Sequence, residues 1–203
     1  MDGGSASALF LLDLVKGMIA LFIVVDPLGN IPIFIGLTRN MDDAQRTSTF
    51  RSAVLTGLLL LFAFALAGQQ ILNLFGISID SFMVAGGLLL LIIAVRLLIG
   101  GGWQEPSSSP EGLGAVPIGF PLLVGPGAIT TTILILQSSG ILVTVFSVLL
   151  TFVIVWVVLR FINPIYRVLG RNGALVVTRL MAMFIAAIAV QYIVNGAKNL
   201  VQQ

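Results

Sequence analysis

A regular helix cannot run unbroken through Val25-Asp26-Pro27-Leu28-Gly29-Asn30-Ile31-Pro32, yet this stretch stands in the middle of an apolar run. Gly17 to Val24 lie before it and Ile33 to Leu37 after it, together a segment of the length that spans a bilayer core of about 30 Å as a helix. Pro27 and Pro32 lack a backbone donor, and each disfavours the α conformation in the residue before it. The expectation is two half-helices with an unwound joint. Backbone freed at membrane depth survives only where it is buried in protein or lines a wet cavity. A second interruption, Leu123-Val124-Gly125-Pro126-Gly127-Ala128-Ile129-Thr130, stands mid-span about a hundred residues later. Paired Gly/Pro breaks in two halves of a chain point to the binding site of a transporter.

Composition places these breaks in a membrane. Of 203 residues, 58% are hydrophobic and only 9% charged, with mean hydropathy +1.13. So few charges cannot cover the surface of a water-soluble domain of this size. The net charge of +2 is therefore a topology signal and implies no nucleic-acid partner. Cysteine and histidine are both absent, which removes disulfides, thiolate nucleophiles, His-based metal sites and imidazole bases. The N-terminus, Met1 to Ala8, has no basic n-region and no cleavage site, so the first hydrophobic segment is expected to be retained.

Six spans fit the hydropathy, at about 15–38, 52–74, 81–100, 115–137, 141–162 and 175–197. The Gly-, Ser- and Pro-rich stretch 101–114 reads as a linker between a first unit, 1–100, and a second, 115–203. Arg39, Arg46, Arg51, Arg96, Arg160, Arg167, Arg171 and Arg179 fall on or beside loops 1–2, 3–4 and 5–6, against Lys16 and Lys198 toward the other face. The positive-inside rule then places those loops in the cytoplasm and both termini outside. Val84 to Val95 runs parallel to Arg179 to Val190 at an offset of 95 residues, close to the spacing of the two breaks. Three spans per repeat is an odd number, so the second repeat enters the membrane inverted. The expected fold is an all-α membrane protein: six transmembrane helices in two inverted three-helix repeats, with spans 1 and 4 broken at the midplane.

Four stretches carry a family resemblance: Asp26 to Phe34, Ala85-Gly86-Gly87, Pro121 to Ile129, and Ala187-Ile188-Ala189-Val190-Gln191. Together they resemble the MarC family over nearly the whole chain. The resemblance implies a six-span protein of the bacterial inner membrane or archaeal plasma membrane, related to transporters of small neutral amino acids. Met83 departs from it, standing where the resemblance leads one to expect an arginine.

Of the eight acidic residues, only Asp26 lies deep in a span, and no Lys or Arg is expected at its depth. An ionised Asp at the bilayer centre costs about 2.5–3.5 kcal/mol, so it should face the interior and find a partner. That partner is backbone N–H, a proton, a cation or substrate. One reading has Asp26 cap the following half-helix with Pro27 in the first position, alone or combined with substrate or ion binding. Another has Asn30 cap a helix one turn later, leaving Pro32 in its first turn. Gly125-Pro126-Gly127 offers the opposite chemistry, backbone donors at a half-helix start that an anion can reach, unless the glycines serve only close packing. Thr130, Thr131 and Thr132 either line a path or bond their own helix. Gln191, Asn195 and Asn199 form one polar stripe, of which Gln191 is expected to reach the cavity.

The candidate substrate-binding set is therefore Asp26, Pro27, Gly29, Asn30, Gly125, Pro126, Gly127, Ala128, Thr130, Thr131 and Gln191, with no metal and no cofactor. Intramembrane aspartyl proteolysis needs two paired carboxylates and only one is deep, so an enzyme is not expected. A zwitterion, with one cationic and one anionic end, matches one carboxylate and one donor nest. A coupling proton or sodium ion and surrounding lipid are the other partners envisaged, and a homo-oligomer is left open. A passive channel or an exporter of another small solute is the rival reading. The clustering of polar groups at the two breaks favours alternating access over an open polar stripe.

Overall fold

The structure, a computed structural model, describes residues 3–38, 40–99 and 114–202. The expected linker at 101–114 lies outside the described residues apart from Gly114, as does Arg39. The elements among the described residues are α1 (Gly3–Val25), α2 (Ile31–Leu37), α3 (Asp43–Leu74), α4 (Ile79–Ile99), a kinked segment Gly114–Leu123 that leaves helical geometry at Val116 and Phe120, α5 (Pro126–Arg160) and α6 (Ile162–Val201), with no strand. Among the described residues, five helices are long and apolar enough to cross a membrane. Leu59, Leu66, Val153 and Met183 stand exposed on them, as side chains facing lipid rather than water must.

The start of the chain differs from expectation. α1 begins at Gly3, and its 23 residues measure about 35 Å, enough to cross a bilayer core alone. A single span over 15–38 broken at its middle is therefore revised: the break follows a full-length helix, and the seven-residue α2 is too short to cross. Nothing between Gly3 and Lys16 stops a helix, so the polar composition there misled the boundary. α3 likewise starts earlier than expected, because Asp42 and Gln45 form a capping box: Gln45 N donates to Asp42 Oδ1 at 2.7 Å and Asp42 N to Gln45 Oε1 at 3.1 Å. Its far end closes at Gly76 (φ +65°), with Ile77 N donating back to Leu72 O.

α5 folds back on itself at Gly140, whose φ of +78° and ψ of 175° suit only glycine. A Cβ placed on Gly57 of α3 would meet the Phe152 ring at 2.7 Å and Val124 Cγ2 at 3.0 Å. A straight helix would hold residues 124 and 152 about 42 Å apart. The residues up to 139 instead run alongside α3, with Ile133 against Gly68, and those after 140 return, bringing Arg160 to Thr47. The return stretch packs on α1, where the Ser147 and Thr151 hydroxyls donate to the carbonyls of Leu14 and Met18.

α4 and α6 form a second, antiparallel unit. Leu90, Ala94 and Leu97 interlock with Ala182, Ile185 and Ala189, and Tyr192 packs at the edge. Small residues set the spacing, as membrane helix pairs require: a Cβ on Gly87 would lie 2.8 Å from Ala189 O, and Gly86 lies against Thr130. Ala85, next to them in the chain, is exposed. Met83 is buried against α6 at Gly196. The larger core cluster joins α1, α2, α3, the Gly114–Leu123 segment and α5.

Candidate functional site where two chain breaks meet

The first break is closed by its own side chains. α1 makes its last regular bond from Asp26 N to Phe22 O, and Asp26 then adopts φ +47°, a left-handed conformation rare outside Gly, Asn and Asp. Its Oδ1 accepts from Gly29 N at 2.9 Å, and its carbonyl takes both Asn30 N (3.2 Å) and Asn30 Nδ2 (2.9 Å). Asn30 occupies the cap position of α2 with Pro32 in the first turn, as one reading expected, but its side chain turns back and caps nothing. Asp26 likewise closes the 26–29 turn rather than capping α2, and Pro27 belongs to that turn, not to the helix. Gly29 has no room for a side chain, because a Cβ there would run into the Asp26 carboxylate.

That leaves one oxygen over. Asp26 is 2% exposed, and Oδ2 is buried without a hydrogen-bond partner among the described residues. An unsatisfied buried acceptor costs about 1–3 kcal/mol, more when charged, so this position calls for a proton, a cation or a donor from a ligand.

The second break is organised by backbone. Gly125 is extended (φ −90°, ψ 178°), and Pro126 opens α5, where its missing N–H is harmless. Gly125 O accepts from Ala128 N at 3.0 Å and Ile129 N at 3.2 Å. Ala128 N–H is thus committed, which narrows the expected donor nest to Gly125 and Gly127. Gly127 also serves packing, since a Cβ on it would collide with Leu90. Thr130, Thr131 and Thr132 donate to the carbonyls of Pro126, Gly127 and Ala128 at 2.8–2.9 Å, so all three bond their own helix. Thr131 reaches further, sharing a 2.8 Å bond with the Tyr192 hydroxyl of α6.

The two breaks line one cavity. Asp26 and Asn30 face it from the first, and Pro121, Gly125, Gly127 and Ala128 from the second. Leu90 and Leu97 of α4 and Ile185 of α6 close it, and among the described residues no basic side chain lines it. Its volume of about 30 Å³ has room for one or two waters. Pro27, Gly29, Pro126, Thr130 and Thr131 support the walls without lining them. Gln191 stands apart on an exposed face, where Nε2 donates to Asn195 Oδ1 at 2.7 Å. Among the described residues no three His, Cys, Asp or Glu side chains gather as a metal site would require, and Asp26 is the one carboxylate among those lining the cavity.

Two residues at the site escaped the sequence reading. Thr178 of α6 donates to Gly29 O at 2.8 Å and so ties α6 to the first break. Nothing in its neighbourhood marks it. Tyr192 had a signal, since a phenol in an apolar span needs a partner.

The model of the MarC family integral membrane proteins matches residues 11–201. The chain belongs to the MarC family. Among MarC relatives it is 39% identical over 187 residues to a UPF0056 membrane protein of Archaeoglobus fulgidus, covering 87% of this chain and 88% of that one. It is 36% identical over 197 residues to the UPF0056 membrane protein YhcE of Escherichia coli, covering 91% and 92%. A UPF0056 membrane protein of Buchnera aphidicola is 30% identical over 194 residues, covering 92% of each. No solved structure matches this MarC chain.

Proposed function

We propose that this MarC protein is a non-enzymatic secondary transporter for small neutral amino acids, working by alternating access around the two breaks. The observation that carries the reading is the Asp26 carboxylate, which has an oxygen buried without a partner among the described residues and belongs to a residue lining the same cavity as Gly125 and Gly127 at the start of α5. The substrate ammonium pairs with Asp26 and Asn30. Its carboxylate takes the N–H groups of Gly125 and Gly127, favoured by the positive end of the α5 dipole. A cavity of about 30 Å³ is too small for any amino acid, so this conformation corresponds to an unloaded, closed state. Loading requires Leu90, Leu97 and Ile185 to withdraw, which moves the α4/α6 unit relative to the rest. A passive channel, the rival reading, needs a continuous wet path, and a cavity closed by three apolar side chains favours gating instead.

Internal symmetry supports this. Gly87, Leu90, Ala94 and Leu97 of α4 are matched 95 residues later by Ala182, Ile185, Ala189 and Tyr192 of α6, all at the α4/α6 contact. Ser52 and Thr56 border Gly114 and Gly119, while Ser147 and Thr151, again 95 residues on, pack on α1 at Leu14, Gly17 and Met18. Pro27-Leu28 and Pro32 recur as Pro121-Leu122 and Pro126. With α5 counted as two passes about Gly140, these correspondences fit six spans in two inverted repeats, the architecture on which alternating access is built. The test is uptake and efflux of a panel of small amino acids by proteoliposomes under imposed proton and sodium gradients. Gradient-driven accumulation of a neutral amino acid supports the proposal. Equilibration that no gradient drives supports the channel.

A further inference from the structure

Two cavities of opposite character adjoin the junction of α5 and α6, and neither belongs to the site above. The first, about 320 Å³, is lined by Asp43, Arg46, Thr47, Trp156, Arg160 and Asn163. The second, about 520 Å³, is an open groove with purely apolar walls, Leu28, Phe161, Ile165, Val168, Leu169 and Val177. Pro164 lines both.

The polar cavity carries surplus positive charge. Arg46 donates from Nη2 to Thr38 O at 3.1 Å, but its Nε is buried with no acceptor among the described residues. Its only ionic neighbour there is Asp43, 3.9 Å away and almost wholly exposed, a geometry worth little. Arg160 contributes a second guanidinium, held by one long 3.5 Å bond to Thr47. Two guanidiniums with donors to spare suit a phosphate, which each can grip with paired N–H bonds. Trp156, one turn before Arg160, is the residue type that settles at headgroup level. Room for about ten waters admits a phosphate together with a small polar alcohol.

We infer that these adjoining cavities form a binding site for an anionic phospholipid, its phosphate between Arg46 and Arg160 and an acyl chain in the groove past Pro164. A soluble phosphate would fill the polar cavity but has no use for the groove. A zwitterionic lipid would fill the groove but brings a cation to the arginines. The inference does not depend on the transport reading.

The test is native mass spectrometry of the purified protein in neutral detergent, titrated with phosphatidylglycerol, with phosphatidylcholine of the same chains, and with inorganic phosphate. Phosphatidylglycerol should bind saturably, one per chain, at least about tenfold tighter than phosphatidylcholine, since each basic group near an anionic headgroup contributes about fivefold. Millimolar inorganic phosphate should not displace it. Arg46→Gln with Arg160→Gln should reduce the preference to the phosphatidylcholine level. Val168→Asp, at a fully outward position of the groove, should weaken both lipids. Arg160→Gln alone, which sacrifices only the 3.5 Å bond, supplies the same comparison if the double variant is not monodisperse. Equal binding of the two lipids, displacement by phosphate, or an arginine variant that keeps its preference would each overturn the inference.

Discussion

The Thr178 hydroxyl of α6 stands 2.8 Å from the carbonyl oxygen of Gly29, joining residues 149 positions apart. It fastens the helix that closes the cavity to the turn that carries Asp26. The same hydroxyl bonds Ala174 O at 2.9 Å within its own helix. Thr178→Val keeps the shape and removes both bonds. Hydrogen bonds between membrane helices average about 0.6 kcal/mol, so the variant should melt slightly earlier in detergent. Its larger effect should be on transport, because the coupling of α6 to the first break is loosened. A variant that matches wild type in both measurements would show the contact to be incidental.

The reversal at Gly140 can be tested by contrast with Gly36. A Cβ meets nothing within 4 Å at either position, so any difference between them is backbone alone. Gly140 has φ +78° and Gly36 lies inside α2. Gly140→Ala should cost about 1–3 kcal/mol, whereas Gly36→Ala should be neutral or mildly stabilising. Thermal denaturation of the two variants side by side decides it. Equal melting points would mean that α5 does not turn there.

Packing about Gly57 gives a second handle on the same reversal. Gly57→Ala forces a methyl into the Phe152 ring and should cost about 1–3 kcal/mol. Phe152→Leu, which shortens the obstructing side chain, should recover part of that loss. A double-mutant cycle with no coupling energy would separate the two residues in space and refute the folded-back α5.

The all-helical membrane class and the two interruptions were legible because they rest on local chemistry: Pro27, Pro32 and Pro126 cannot continue a helix, and so few charges cannot clothe a soluble surface. Helix starts were less legible. Spans apolar on both faces carry no amphipathic period to mark inside from lipid side, so neither the onset of α1 at Gly3 nor the outward direction of Gln191 could be read. Partners far apart in the chain, Thr178 with Gly29 and Thr131 with Tyr192, belong to tertiary packing. The close fit of Gly127 against Leu90 has a further consequence: Gly127→Val would disturb packing and cannot by itself probe an anion site.

The orientation expected from the arginines, with both termini outside, is open to direct test. Because the chain has no cysteine, single cysteines at Ser5, Ser108 and Asn172 report cleanly on sidedness. An impermeant thiol reagent applied to intact cells should label the first and spare the other two. Labelling of position 108 or 172 with protection of position 5 would invert the topology.

The central claim is that the free oxygen of Asp26 serves transport and not the fold. Asp26→Asn separates the two. Asparagine tolerates the left-handed conformation and its carbonyl can still accept from Gly29 N, so the turn is preserved. Only the oxygen left without a partner among the described residues becomes an amide. The variant should therefore insert and melt like wild type. The decisive measurement is amino-acid transport by that folded variant in proteoliposomes across a range of pH. Loss of transport, or of its dependence on the imposed gradient, is the predicted result. Transport at the wild-type rate with unchanged pH dependence would reduce Asp26 to a turn residue and contradict the mechanism.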